Sequence, residues 1–64
     1  MQTYLDTETN ENVQAEQYFG FSGQINYNSA IIYLNNTDWL IVLPSGSVTG
    51  YTDADFSARF TLVV

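Results

Sequence analysis

Trp39-Leu40-Ile41-Val42-Leu43-Pro44-Ser45-Gly46-Ser47-Val48-Thr49-Gly50-Tyr51-Thr52 is the stretch that decides the fold. Residues 39–43 are apolar without alternation, the pattern of a strand covered on both faces. Pro44 presets φ for the second position of a turn, and Gly46 suits the point where the chain must leave with positive φ. The chain then returns through 47–52, so a hairpin between 39–43 and 47–52 is predicted.

Immediately upstream, Ala30-Ile31-Ile32-Tyr33-Leu34 lies between Asn28-Ser29 and Asn35-Asn36, and reads as a buried strand between turns. Gly20-Phe21-Ser22-Gly23 is a break whose glycines permit a turn. Before it, Val13 and Ala15 alternate onto one face, with Phe19 a further candidate for that face, which favours a strand over 13–19. Residues 1–12 hold one short apolar pair, Tyr4-Leu5, and are expected either to add an edge strand or to stay a mobile arm. Downstream, Asp53 is expected to cap one 3-10 turn over 53–58, with Asp55 near its positive end. Residues 59–64 read as a closing strand that ties the C-terminus into the sheet, with Phe60 and Leu62 on one face. A hairpin, a helical turn and a closing strand, in that order, predict an all-β fold: a single domain over 1–64, built as a small SH3-like barrel of about five short strands.

Composition narrows what such a domain can do. The chain has seven Asp and Glu against a single base, Arg59, for a net charge of -6, and it has no His and no Cys. Its acidity therefore comes from missing cations. Holding a phosphate backbone or an anionic leaflet takes several Lys or Arg, so neither direct nucleic-acid binding nor membrane binding is expected. Disulfides and thiolate or imidazole metal sites are unavailable, and so is the commonest general base. No catalytic residue, metal or cofactor is assigned, and the expectation is a protein that is not an enzyme. Asp38, Asp53 and Asp55 leave carboxylate chemistry formally open, but capping and solvation account for Asp53 and Asp55. A core this small commonly needs a staple. With no disulfide or metal, self-association or a protein partner is the expected one.

Residues 14–60 resemble a type of small protein encoded by bacteriophages, the PGDYG type. The likeness rests on Asp38-Trp39-Leu40-Ile41, Gly46, Phe56 and Phe60, and on Gln14-Ala15-Glu16-Gln17-Tyr18, which is similar to that family's opening Glu-Ala-Xaa-Gln-aromatic segment. The chain departs from the family at Thr37, where Gly is usual, at Ser47 in place of Glu, and at Thr49-Gly50 in place of Tyr-Pro. The resemblance implies a phage-type origin and a shared fold, and it implies little about activity.

Aromatic residues are in excess for so small a core: five Tyr, four Phe and one Trp. Trp39, Phe56 and Phe60 are assigned to the core. Tyr18, Phe21, Tyr27, Tyr33 and Tyr51 are left as candidate binding residues, because Tyr combines rigid area with a polar tip. Arg59 joins them as the one side chain able to meet a small anionic ligand. Two functions follow as expectations. The first is a phage-encoded interaction protein of the host cytoplasm that sequesters or inhibits a host factor or a small signalling ligand. The second is a virion component such as a capsid decoration or cement protein.

Overall fold

The computed structural model describes residues 1–63 of the chain. The elements run β1 (Gln2–Asp6), β2 (Glu11–Gln17), β3 (Gly23–Tyr27), β4 (Ala30–Leu34), β5 (Trp39–Val42), β6 (Val48–Tyr51), α1 (Asp53–Arg59) and β7 (Phe60–Leu62). The fold is therefore mostly β, as expected, but with more strands than the sequence suggested. Five strands form one antiparallel sheet in the order β6-β5-β2-β1-β7, while β3 and β4 pair separately.

The hairpin at 39–52 has the expected turn. Leu43 N–H donates to the Ser47 carbonyl, Gly46 N–H donates to the Leu43 carbonyl, and Gly46 sits at φ 91°. Both faces of β5 are covered. Trp39 and Ile41 face α1, while Leu40 lies under the β3–β4 hairpin, and Leu40 and Ile41 are fully buried. Gly50, paired with Leu40, is the point of closest approach: a Cβ there would stand 2.9 Å from Leu34 Cδ2.

Val13 and Ala15 of β2 are buried against Ile41 and Phe56, as their alternation predicted. Other readings are corrected. β1 is neither an edge strand nor a mobile arm, since it lies inside the sheet between β2 and β7, with Tyr4 opposite both Val13 and Leu62. Phe19 lies beyond the end of β2 and is exposed, because alternation stops once Tyr18 leaves the sheet to bond the 37–38 loop. The 53–58 segment is not a 3-10 turn but the start of an α-helix. Its cap is Thr52, whose hydroxyl accepts from the Asp55 N–H. Asp53 instead accepts from Trp39 Nε1 at 2.9 Å and from Gln17 Nε2 at 3.1 Å. Asp38 is also structural, accepting the Asn35 N–H at 2.9 Å. Among the described residues, β7 ends at Leu62 and is followed by an exposed Val63, while Val64 falls outside them.

The edge strands β6 and β7 are not hydrogen-bonded to each other, so the main sheet does not close into a barrel. It curls enough that its edges touch through side chains: Tyr51 of β6 meets Phe60 of β7 edge-to-face, with ring centroids 5.2 Å apart. The helix joining the two strands lies against the concave face. Phe56 stacks on Trp39 at 3.7 Å and packs against Tyr4 and Phe60.

One loop carries strain. Thr37 adopts φ 75°, a left-handed conformation that is unusual for a β-branched residue. It is fixed there by its own N–H to the Tyr18 carbonyl and by Gln17 Nε2 to its carbonyl. The left-handed region costs an L-residue about 1–2 kcal/mol, while glycine adds roughly 0.5–1 kcal/mol of entropy cost. Thr37→Gly is accordingly expected to raise the urea midpoint slightly, and a fall in midpoint would show that the threonine side chain contributes more than its strain.

Candidate binding surface

The six candidate residues separate into two places. Tyr51 and Arg59 belong to a network at one end of the concave face. Asp6 is only 2% exposed. Its two oxygens accept from Arg59 Nε at 2.9 Å and from Nη2 at 2.8 Å, and its Oδ1 also accepts the Glu8 N–H at 3.0 Å. Arg59 Nη1 donates to the Tyr51 hydroxyl at 3.0 Å and lies 3.5 Å from a Glu8 carboxylate oxygen. The fork of Arg59 is thus fully engaged by the fold. The hydrogen bonds from Arg59 outweigh burial and hold the Asp6 carboxyl down to about 2, and Asp6 in turn raises Arg59 further above its ordinary value.

Beside this network is a hollow of about 270 Å³, lined by Asp6, Thr9, Glu11, Val13, Leu43, Pro44, Ser45 and Arg59. Its only cation is already neutralised by Asp6, and Glu11 adds negative charge. An anion entering it would meet the exposed Glu11 carboxylate and no unpaired cation. At the start of α1 the Asp55 N–H is taken by the Thr52 cap, and Asp53 and Asp55 place two carboxylates in the first turn.

The remaining four candidates gather around the β3–β4 hairpin. Asn28 and Ser29 both take positive φ, the signature of a type I′ turn, and the register pairs Tyr27 with Ala30, Ile25 with Ile32 and Gly23 with Leu34. These residues face inward. Tyr27 reaches back to Met1 Sδ at 3.8 Å, and Tyr18 packs against Phe21 with centroids 6.2 Å apart. Burial pushes the Tyr18 phenol up, with the Glu16 carboxylate adding to the shift. The other face of the hairpin carries Gln24, Asn26, Ile31 and Tyr33. Here the expectation of a buried β4 is corrected: Ile31 is 68% exposed and Tyr33 62%, because none of the described residues covers that side. Phe19 is as exposed as Ile31.

Sequence reasoning missed Phe19 and Ile31 as surface residues. Charge patterning does not mark them, since residues 39–52 are equally uncharged and hold the fully buried Leu40 and Ile41. Residues 17–37 contain no Asp, Glu, Lys or Arg, so every charge of the chain lies outside the segment that forms this hairpin and its leading loop. In a chain of net charge -6, the exposed outer face of this hairpin is therefore free of charge from its own residues.

Comparison with protein-family models, curated proteins and solved structures found no match to this chain. No helix among the described residues is long and apolar enough to cross a membrane.

Proposed function

We propose that this chain is a non-enzymatic, phage-type interaction protein that binds a host protein and thereby sequesters or inhibits it. The observation that carries the reading is the uncharged outer face of the β3–β4 hairpin, where Ile31 and Tyr33 stand exposed side by side on one strand. Exposed apolar side chains grouped on one face mark contact surfaces, and Tyr is favoured at such contacts. A protein is preferred over a small anionic ligand because Arg59, the one base, is spent on Asp6, Glu8 and Tyr51. The phage kinship draws support from Thr37: the family's usual Gly would adopt its φ of 75° without strain. We also retain an SH3-like descent in this reading. Its support is the order of hairpin, helix and last strand, with Tyr51 and Phe60 in contact across the gap.

The test compares the chain with an Ile31→Ser/Tyr33→Ser variant, both immobilised and exposed to bacterial lysate, with retained proteins quantified. Both positions face solvent, so the variant's circular dichroism should be unchanged. A specific partner should be retained about tenfold less by the variant. Equal retention would remove this face from the site. Duplex DNA and single-stranded RNA should not bind even at low salt, and salt-sensitive binding to either would overturn the protein-partner reading. Recovery of the chain from purified virus particles would favour the capsid decoration or cement role instead.

A further inference from the structure

β3 (Gly23–Tyr27) pairs only with β4, leaving its other edge without a strand partner among the described residues. In a two-residue hairpin the pair flanking the turn is hydrogen-bonded, and such pairs alternate along the ladder. Tyr27, Ile25 and Gly23 therefore turn their backbone groups toward β4. Gln24 and Asn26 turn theirs outward. Among the described residues no hydrogen bond takes up those outward groups.

The usual protections of such an edge are missing. Exposed edges are normally blunted by Lys, Pro, a bulge or an inward charge, because bare backbone recruits further strands. β3 reads Gly-Gln-Ile-Asn-Tyr, with none of these, and its five residue pairs with β4 run without a bulge. The other sheet edges are less open. β7 has only three residues, and β6 lies beside β4, with Leu34 packed on Gly50. Charge identifies the occupant. Two copies of a chain of net charge -6 repel over most of their surface, but the segment 17–37 carries no charge, and of the uncharged strand edges β3, β6 and β7 that of β3 is the open one, so here copies can meet without opposing carboxylates.

We propose that two copies of this chain pair through the outer edge of β3, antiparallel about a two-fold axis at Ile25, giving a continuous β4-β3-β3-β4 ribbon. In this register Gln24 of one copy faces Asn26 of the other, and each pair exchanges both backbone hydrogen bonds. The two Ile25 residues stand opposite one another, where half-burial leaves them area to share. The ribbon doubles the outer face bearing Ile31 and Tyr33, but it rests on the backbone of Gln24 and Asn26 and is independent of the docking reading. A standard interface takes about 800 Å² from each partner, and the whole surface of one copy is 4006 Å². One strand edge supplies less than that standard, so the pairing is weak and concentration-dependent.

Sedimentation of the full chain from about 10 μM to about 1 mM should show a monomer–dimer equilibrium, the range in which weak association is read. Asn26→Pro deletes an outward N–H that β4 does not use, and should leave a monomer with unchanged circular dichroism. Ile25→Cys supplies a second readout should the proline disturb the hairpin. Directly opposite residues at a non-hydrogen-bonded position lie about 4.5 Å apart at Cα, within disulfide reach. The chain has no cysteine of its own, so mild oxidation should give a covalent dimer at least about tenfold faster than for Ile31→Cys, which lies away from the axis. A chain still monomeric at about 1 mM, a dimer that survives Asn26→Pro, or equal cross-linking at both positions would each overturn the proposal.

Discussion

Phe56→Ala is expected to unfold the domain. Phe56 is 3% exposed and is the only fully buried side chain of α1. It lies parallel to the Trp39 ring, with 4° between their planes, and also packs against Tyr4 and Phe60. Removing a buried phenyl costs about 3–5 kcal/mol, from lost transfer energy and from the cavity left behind. A domain of this size holds little more than that in total. Collapse cannot refill the gap, because Trp39 is tethered by its indole N–H to Asp53. The variant should lack the native near-ultraviolet dichroism of Trp39 and show no cooperative urea transition. A cooperative transition with a midpoint near that of the parent would mean that α1 is not needed to cover the sheet.

Arg59→Leu should be nearly as damaging at neutral pH, and its pH dependence should run opposite to that of the parent. In the parent, Asp6 has its carboxyl lowered from 3.8 to about 2 by Arg59. Its contribution to stability is fully present above 3.8 and is lost as pH falls through about 2. Without the guanidinium, a buried carboxylate keeps only the Glu8 N–H and the Thr9 side chain, and burial then favours the protonated form. The variant should be largely unfolded at pH 7 and should gain structure as acid protonates Asp6. Urea midpoints at pH 7, 5 and 4 would show this, together with Asp6→Asn/Arg59→Leu, in which the pH trend should flatten. A variant with parental midpoints at pH 7 would show that the ion pair is dispensable.

Legibility in the sequence followed the range of the interaction. The β5–β6 hairpin was readable because Pro44 and Gly46 act on their own backbone, and β2 was readable because Val13 and Ala15 alternate over adjacent positions. The helix was underestimated because 53–58 is short, although Thr52 followed three residues later by Asp55 is a capping pattern. β4 was misjudged because an unbroken apolar run of five residues reads the same whether one face or both are covered. The Asp6–Arg59 pair lies beyond any local signal, joining residues 53 positions apart. Its trace was the retention of a single base in a chain without Lys. The same distance explains the division among the candidate residues: Arg59 is held inside the fold by Asp6 of β1 and holds Tyr51 in turn, while no described residue covers the outer side of Tyr33.

The position of β1 sets the timing of folding during synthesis. β1 is the first strand made, yet one of its neighbours, β7, is the last, and Val63 N–H donates to the Thr3 carbonyl. Asp6 likewise waits for Arg59 before its buried charge has a partner. A chain made only as far as β6 holds the residues of the β1–β2 and β5–β6 hairpins, but it has neither the helix carrying Phe56 nor the strand that completes the sheet. The loop-closure cost of joining its two ends comes at the end and in one step. This domain therefore folds after its ribosome has finished with residue 62, and a translation stalled before α1 releases a chain whose apolar face has no cover.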